Sequence, residues 1–250
     1  MHSVLFSIFG LKVHAYGFMI DMGIIAAYVL LNLRYKLYNG VKKENVIDIL
    51  ILVAVSGMLG SRILYVLLYR SEFPTFQSML AIWNGGQAFH GGLILGIICI
   101  AVYCRFKRLS IPVILDMLAP ALCIAYAFGR IGCFLNGCCY GMVSDLPIAC
   151  PMPTDEGIRN CLPTQLFSSL SGFIMCALLI VFQNRFRKPG TQFFSFIAMY
   201  GIYRFILEFF RYYPPAETFG AFTKGQYLSL AMILLGIFAC IYINKRSDRR

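Results

Sequence analysis

The chain has 250 residues, of which 59% are hydrophobic, 15% aromatic and only 13% charged, with a formal net charge of +11 and a mean hydropathy of +0.73. Soluble domains carry about 45–50% apolar and about 25% charged residues, so the composition excludes an ordinary soluble globule and marks a polytopic membrane protein. The positive charge does not indicate nucleic acid, because the basic residues gather at the ends of apolar runs and no nucleic-acid motif accompanies them.

Met1–Val13 holds one Lys, no sustained apolar run and no small-residue cleavage pattern. No cleavable signal peptide is expected, and the first hydrophobic helix should direct insertion itself. A membrane-crossing helix needs about 20 mostly apolar residues. Seven segments approach that length: 15–33, 46–69, 88–104, 111–129, 165–183, 191–210 and 226–243, the third and fourth being short and rich in Gly or Pro. Their pattern predicts an all-α bundle of seven transmembrane helices forming a single domain over 1–250. An outer loop is expected at about 129–163, a turn at Pro189-Gly190 and a further outer loop over Pro214–Gly225. No internal repeat is present.

Lys and Arg set the orientation. Arg34, Lys36, Lys42 and Lys43 fall in one connection; Arg105, Lys107 and Arg108, then Arg185, Arg187 and Lys188, and finally Lys245, Arg246, Arg249 and Arg250 fall in alternate ones. The opposite side holds only Lys12, Arg70, Arg130, Arg159, Arg211 and Lys224. This asymmetry predicts an outer amino terminus and a cytoplasmic carboxyl terminus, which requires an odd number of spans.

Ionisable residues inside apolar segments carry the functional signal. Arg62, Arg130 and Arg204 lie within or at the edge of spans, with Asp21, Asp116, Glu208, His14 and His90 nearby. A charge at the bilayer centre costs about 2.5–3.5 kcal/mol on the insertion scale, so such residues face a partner, a cavity or a substrate. Guanidiniums at membrane depth suit an anion, and a lipid phosphate is the commonest anion there.

Five clusters follow in chain order. His14-Ala15-Tyr16-Gly17 fits an interfacial aromatic belt as well as a site. Gly60-Ser61-Arg62 shares a helical face with Tyr65 and Tyr69, and Arg62 reads as a substrate or ion-pair residue or as a snorkelling one. Trp83-Asn84-Gly85-Gly86-Gln87-Ala88-Phe89-His90-Gly91-Gly92 opens a span with glycines that permit close backbone approach. Its His90 can take a proton near neutral pH, the alternative being a packing motif with a hydrogen-bonded His. The run Gly129 to Gly141, with Arg130 and Asn136, is too rich in Gly for an ordinary lipid-facing helix and is expected to be irregular backbone around a cavity. Cys133, Cys138, Cys139, Cys150 and Cys161 belong to the same outer region. A disulfide from Cys138 or Cys139 to Cys150 or Cys161 is a candidate, whereas the absence of a CxxC pair and of a nearby His argues against a metal. Finally, Tyr200, Arg204 and Glu208 follow one another at helical spacing, so Arg204 and Glu208 can pair, either structurally or within a site.

Taken in order, these clusters resemble the prolipoprotein diacylglyceryl transferase family. The resemblance runs through His14–Gly17, Gly60–Tyr69, Gly85–Gly92, Asp116 with Pro120, Gly129–Gly141, Pro163-Thr164-Gln165-Leu166, Tyr200–Arg211 and Gly225-Gln226. It implies a multi-pass protein of the bacterial plasma membrane whose site opens to the outer leaflet, with no cofactor and no metal. It also implies transfer of a diacylglyceryl group from phosphatidylglycerol to the lipobox cysteine thiol of a prolipoprotein, releasing glycerol phosphate. On that resemblance His90 corresponds to the essential base, Arg130 and Arg204 to the essential arginines, and Tyr200, Tyr16, Asn136, Gly141 and Glu208 to further site positions. Two departures stand out. The family pattern Gly-Arg-x-Gly-Asn-Phe-x-Asn-x-Glu-x-x-Gly has Cys133 in place of Asn and Cys138 in place of Glu, and His-Pro-Ser-Gln-Leu-Tyr-Glu becomes Leu162-Pro163-Thr164-Gln165-Leu166-Phe167-Ser168. They leave open a different acceptor on the same fold. A lipid-binding or transport protein is the third reading, although no pair of matching halves is evident.

Overall fold

The computed structural model of the chain describes residues 4–8, 11–81, 85–186, 188–211, 218–219 and 222–247. Its frame is helical: α1 (Ala15–Arg34), α2 (Lys43–Leu68), the short α3 (Phe76–Leu80), α4 (Phe89–Lys107), α5 (Ile111–Asn136), α6 (Thr164–Val181), α7 (Thr191–Glu208) and α8 (Lys224–Ser247). Each long helix begins within three residues of a segment read from the sequence. All but α3 and α7 are long and apolar enough to cross a membrane; α7 is interrupted by Gln192, Arg204 and Glu208. The outer faces suit lipid, with Phe106 82% and Phe89 75% exposed, which water would penalise.

The structure corrects two expectations. Helix α5 does not stop at 129 but continues through Arg130 to Asn136, so the glycine-rich run is irregular only from Gly137 onward. The helical frame also carries hairpins that period analysis missed: β1 (Val4–Ile8) with β2 (Leu11–His14), β3 (Cys150–Thr154) with β4 (Gly157–Cys161), and the two-residue pair β5 (Thr218–Phe219) with β6 (Phe222–Thr223). They are too short and too little alternating to be read as strands. Trp83, Asn84, Arg187, Arg249, Arg250 and residues 214–217 and 220–221 of the expected Pro214–Gly225 loop lie outside the described residues.

Two compact units make up the chain, one from Met1–Leu31 and Leu115–Arg250 and the other from Asn32–Ile114. In the smaller unit α2 and α4 approach at glycine. A Cβ on Gly60 would run into the Gly91 carbonyl, one on Gly91 into the Gly60 carbonyl, and one on Gly92 would meet the Gly57 carbonyl at 2.5 Å. Small residues let helix backbones close in this way inside a membrane.

In the larger unit Ala119 and Cys123 of α5 and Met175, Cys176 and Leu179 of α6 form a buried core flanked by Phe193, Phe196 and Tyr200 of α7. Asp116 of α5 ties the bundle together. Its carboxylate accepts from the Gly190 amide at 2.6 Å and the Phe193 amide at 2.8 Å, satisfying donors that the first turn of α7 leaves without helical partners. Helix α1 packs on α5 at Gly23 and Gly132, where an added Cβ would lie 3.2 Å from the Ala125 carbonyl and 3.1 Å from Met19 Cβ.

Candidate functional site

The residues singled out from the sequence divide between the two units. In the smaller unit Arg62 is buried and its guanidinium is committed to backbone. Nε donates to the Met79 carbonyl at 2.8 Å, Nη2 to Ser78 at 2.8 Å, and Nη1 to Gly85 and to Gly86 at 3.1 Å. The Phe73 ring lies 5.0 Å below it. Arg62 thus staples the segment between α3 and α4 rather than standing at an interface. His90, in the first turn of α4, is exposed with the Phe89 ring edge-on at 6.0 Å.

The larger unit brings Arg130, Arg204, Tyr200, Glu208, Tyr16 and the cysteine loop into one neighbourhood. Arg130 stands 5.0 Å over the Tyr126 ring, one turn earlier on α5. Tyr126 meets Tyr200 of α7 edge-on at 5.6 Å, and Tyr200 neighbours Tyr203 at 6.4 Å. Arg204 follows Tyr200 by one turn of α7, and both it and Arg130 lie within electrostatic reach of the Tyr200 hydroxyl. Arg204 pairs with Glu208 along α7, as the helical spacing predicts.

Glu208 is fully buried and held from the junction of β6 and α8 as well. The Thr223 hydroxyl donates to its Oε2 at 3.2 Å, and a Cβ on Gly225 would lie 2.5 Å from its carboxylate. Thr223 and Gln226 form a reciprocal cap at the start of α8, with the Thr223 amide donating to Gln226 Oε1 at 2.9 Å and the Gln226 amide to Thr223 Oγ1 at 3.1 Å. The Gly225-Gln226 pair therefore closes α8 directly onto the carboxylate that orients Arg204.

The loop after α5 owes its shape to the helix end. Gly137 has φ +74°; its amide donates to the Phe134 carbonyl and that of Cys138 to the Cys133 carbonyl, both at 3.1 Å. This pairing is the Schellman arrangement that reverses the chain after a helix. Two buried side chains of α6 then fix the loop backbone. Gln165 Nε2 donates to the Cys138 carbonyl at 2.7 Å and Thr164 Oγ1 to the Cys139 carbonyl at 3.0 Å. Gly141 is a point of close approach: its amide donates to the Leu162 carbonyl at 2.9 Å, and a Cβ there would strike the Phe210 carbonyl. Its structural role here is a backbone one. Asn136 is exposed at the helix end.

Tyr16, at the start of α1, lies within electrostatic reach of Arg130 and of Cys133, Cys138 and Cys139. Hydrogen bonding with the Cys133 and Cys138 thiols, followed by the Arg130 and Arg211 charges, holds the Cys139 thiol well below the ordinary thiol range. Burial pushes the Cys161 thiol up. All ten cysteines are free thiols, so the anticipated bond from Cys138 or Cys139 to Cys150 or Cys161 is not made in this structure. Cys150 and Cys161 stand opposite each other in the β3–β4 register. Against the expectation from spacing, the sulfurs of Cys133, Cys138 and Cys139 all lie within 4.8 Å of one another.

From the sequence no role is assigned to Tyr126, Tyr203, Ser168 or Thr223. Tyr126 sits four residues before Arg130 and Tyr203 three after Tyr200, a helical spacing that would have flagged both. The Tyr203 hydroxyl donates to Ser168 Oγ, which itself donates to the Thr164 carbonyl at 2.6 Å. Beside Tyr203, a hollow of about 360 Å³ is lined by residues including Leu146, Leu162, Phe167, Ile206 and Phe210.

Residues 3–242 match the model of a family described as prolipoprotein diacylglyceryl transferase. The chain is 34% identical over 241 residues to the phosphatidylglycerol–prolipoprotein diacylglyceryl transferase of Clostridium tetani (strain Massachusetts / E88), covering 95% of this chain and 96% of that protein. It is 36% identical over 252 residues to the protein of that name from Geobacter sulfurreducens (strain ATCC 51573 / DSM 12127 / PCA), covering 97% and 95%. It is also similar to phosphatidylglycerol–prolipoprotein diacylglyceryl transferase 2 of Clostridium perfringens (strain 13 / Type A), 33% identical over 258 residues.

Proposed function

This chain belongs to the prolipoprotein diacylglyceryl transferase family, and from that membership we propose that it moves a diacylglyceryl group from phosphatidylglycerol to the lipobox cysteine thiol of a prolipoprotein. The bond formed is a thioether to the glycerol carbon. The bond broken is that carbon's link to phosphate, which leaves as glycerol phosphate. The acceptor thiol has an ordinary pKa near 8.5 and must lose its proton to attack; His90 takes it as general base. The leaving phosphate gains charge, which Arg130 and Arg204 offset with planar, bidentate donors. Glu208 and the Tyr126–Tyr200 pair hold those guanidiniums in place, while Tyr16, within electrostatic reach of Arg130, and Asn136 contact the substrate.

The run from Arg130 through Tyr126 to Tyr200, with Arg204 one turn beyond on the same helix, is the observation that supports this reading. In the membrane we place seven spans with the amino terminus outside and the site towards the outer leaflet. The basic residues support this: they fall in the α1–α2, α4–α5 and α6–α7 connections and at the end of α8. The test is a purified reaction in detergent with phosphatidylglycerol and a lipobox peptide, read by mass spectrometry for the thioether and for glycerol phosphate. Arg130→Ala and Arg204→Ala should insert normally and give neither product; normal turnover in both would remove the clamp. An adduct on another acceptor, with none on the peptide, would favour an altered acceptor, for which Cys138 in the place of the family's Glu is the motive.

A further inference from the structure

We infer that Cys133, Cys138 and Cys139 form a binding site for a thiophilic d10 metal ion, with zinc as the reference case, using three sulfur ligands and leaving one coordination position open. Sequence spacing hides this site, because Cys133-x4-Cys138-Cys139 matches no usual ligand pattern. The helix end reveals it. In the Schellman arrangement the third residue from the end of the helix and the second beyond it are brought side by side. Here those positions are Cys133 and Cys138, joined by the 3.1 Å bond from the Cys138 amide to the Cys133 carbonyl. Cys139 follows with φ +65°, a conformation uncommon for a residue with a side chain, and its sulfur comes to 3.7 Å from that of Cys138.

The three sulfurs lie within 4.8 Å of one another. A Zn–S bond of about 2.3 Å sets the sulfur–sulfur edge of a tetrahedral site at about 3.8 Å. One edge thus already has that length, and the others need to contract by an ångström or less. The backbone beneath is fixed, since Gln165 and Thr164 hold the Cys138 and Cys139 carbonyls, whereas Cys139 itself is exposed and open to an entering ion. Arg130 and Arg211 lie within electrostatic reach of Cys139 and offset the charge of a three-thiolate site. On binding, up to three S–H bonds are exchanged for metal–sulfur bonds and the protons pass to solvent.

The full-length protein in detergent, kept reduced with a phosphine, is titrated with Cd²⁺ and followed by the sulfur-to-cadmium charge-transfer band. It is then loaded with Zn²⁺ and counted for bound metal after gel filtration. One ion per chain is expected, with Zn²⁺ protecting Cys133, Cys138 and Cys139 from alkylation as mapped by mass spectrometry. Cys138→Ser and Cys139→Ser should weaken binding about tenfold or more, while Cys150→Ser in the same loop should not. Melting curves on each variant separate lost ligands from lost fold, and the protection map on the unaltered protein does not depend on variants. No retained metal, or undiminished binding in the Cys133→Ser, Cys138→Ser, Cys139→Ser triple variant, would overturn the assignment. None of these readouts requires transferase activity.

Discussion

Arg62 and Arg130 are both arginines on greasy helices, and the structure gives them partners of opposite kinds. Arg62 is buried and makes four bonds to the carbonyls of Ser78, Met79, Gly85 and Gly86. Arg130 rests on the Tyr126 ring, and among the described residues it donates to no backbone carbonyl. An arginine saturated by carbonyls has little left to offer an anion; one held by its face keeps its donor edges for a ligand. On the proposed function, the charge-in-hydrocarbon signal in the sequence covers two different devices. Only their partners tell a staple from a clamp.

The sharpest way to break the comparison is to substitute both. Arg130→Lys and Arg204→Lys keep the charge but lose the planar fork, and turnover should fall by about 10²-fold or more with yield and melting unchanged. Arg62→Ala should do the reverse. Leaving four carbonyls without their cation costs about 1–3 kcal/mol for each one that finds no other partner, so yield and thermal stability should drop while the surviving protein still turns over. Normal melting with abolished turnover in Arg62→Ala would return Arg62 to the substrate site.

Glycine sharpens the contrast next. Gly60→Ala and Gly91→Ala each drive a methyl into the carbonyl of the facing helix, and overpacking of this kind costs about 1–3 kcal/mol. Both should lower the melting temperature. Gly225→Ala instead presses on the Glu208 carboxylate and through it on Arg204, so it should reduce kcat roughly tenfold with a smaller change in melting. Equal effects of the three on stability alone would show that Glu208 carries no positioning role. A weaker effect is expected at Tyr126. Tyr126→Phe retains the ring under Arg130, whereas Tyr126→Leu removes a cation–π contact of about 0.5–2 kcal/mol, so KM for the lipid should rise up to about tenfold in the second variant only.

Helix positions were legible because apolar runs of bilayer length admit few other structures, and Arg204–Glu208 because four residues is one helical turn. The extension of α5 past Gly129 was not legible. Glycine lowers helix propensity locally, but packing of α1 against Gly132 and of α6 against the rest of α5 outweighs that cost. The thiol cluster was hidden for a related reason: ligand spacings tabulated for loops and straight helices do not cover a chain that reverses at a left-handed glycine. The trans-acting caps, Asp116 on α7 and Gln165 on the Cys138 carbonyl, join residues dozens of positions apart, which no local pattern encodes.

Gln165 gives the finest test of how the two regions differ. It is 1% exposed, donates at 2.7 Å to the Cys138 carbonyl, and its Oε1 has no partner among the described residues. Gln165→Leu therefore removes one good hydrogen bond and one unsatisfied acceptor together. The two changes oppose each other, so the net loss should be about 1 kcal/mol or less, below what the Arg62 staple shows on losing its cation. Its effect should be local. Limited proteolysis within 137–163 should quicken several-fold while the global melting temperature hardly moves, because the segment opens without unfolding the helices. A large fall in melting temperature would mean that Gln165 supports the α5–α6 core as a whole, and the contrast between a stapled unit and a clamped loop would have to be redrawn.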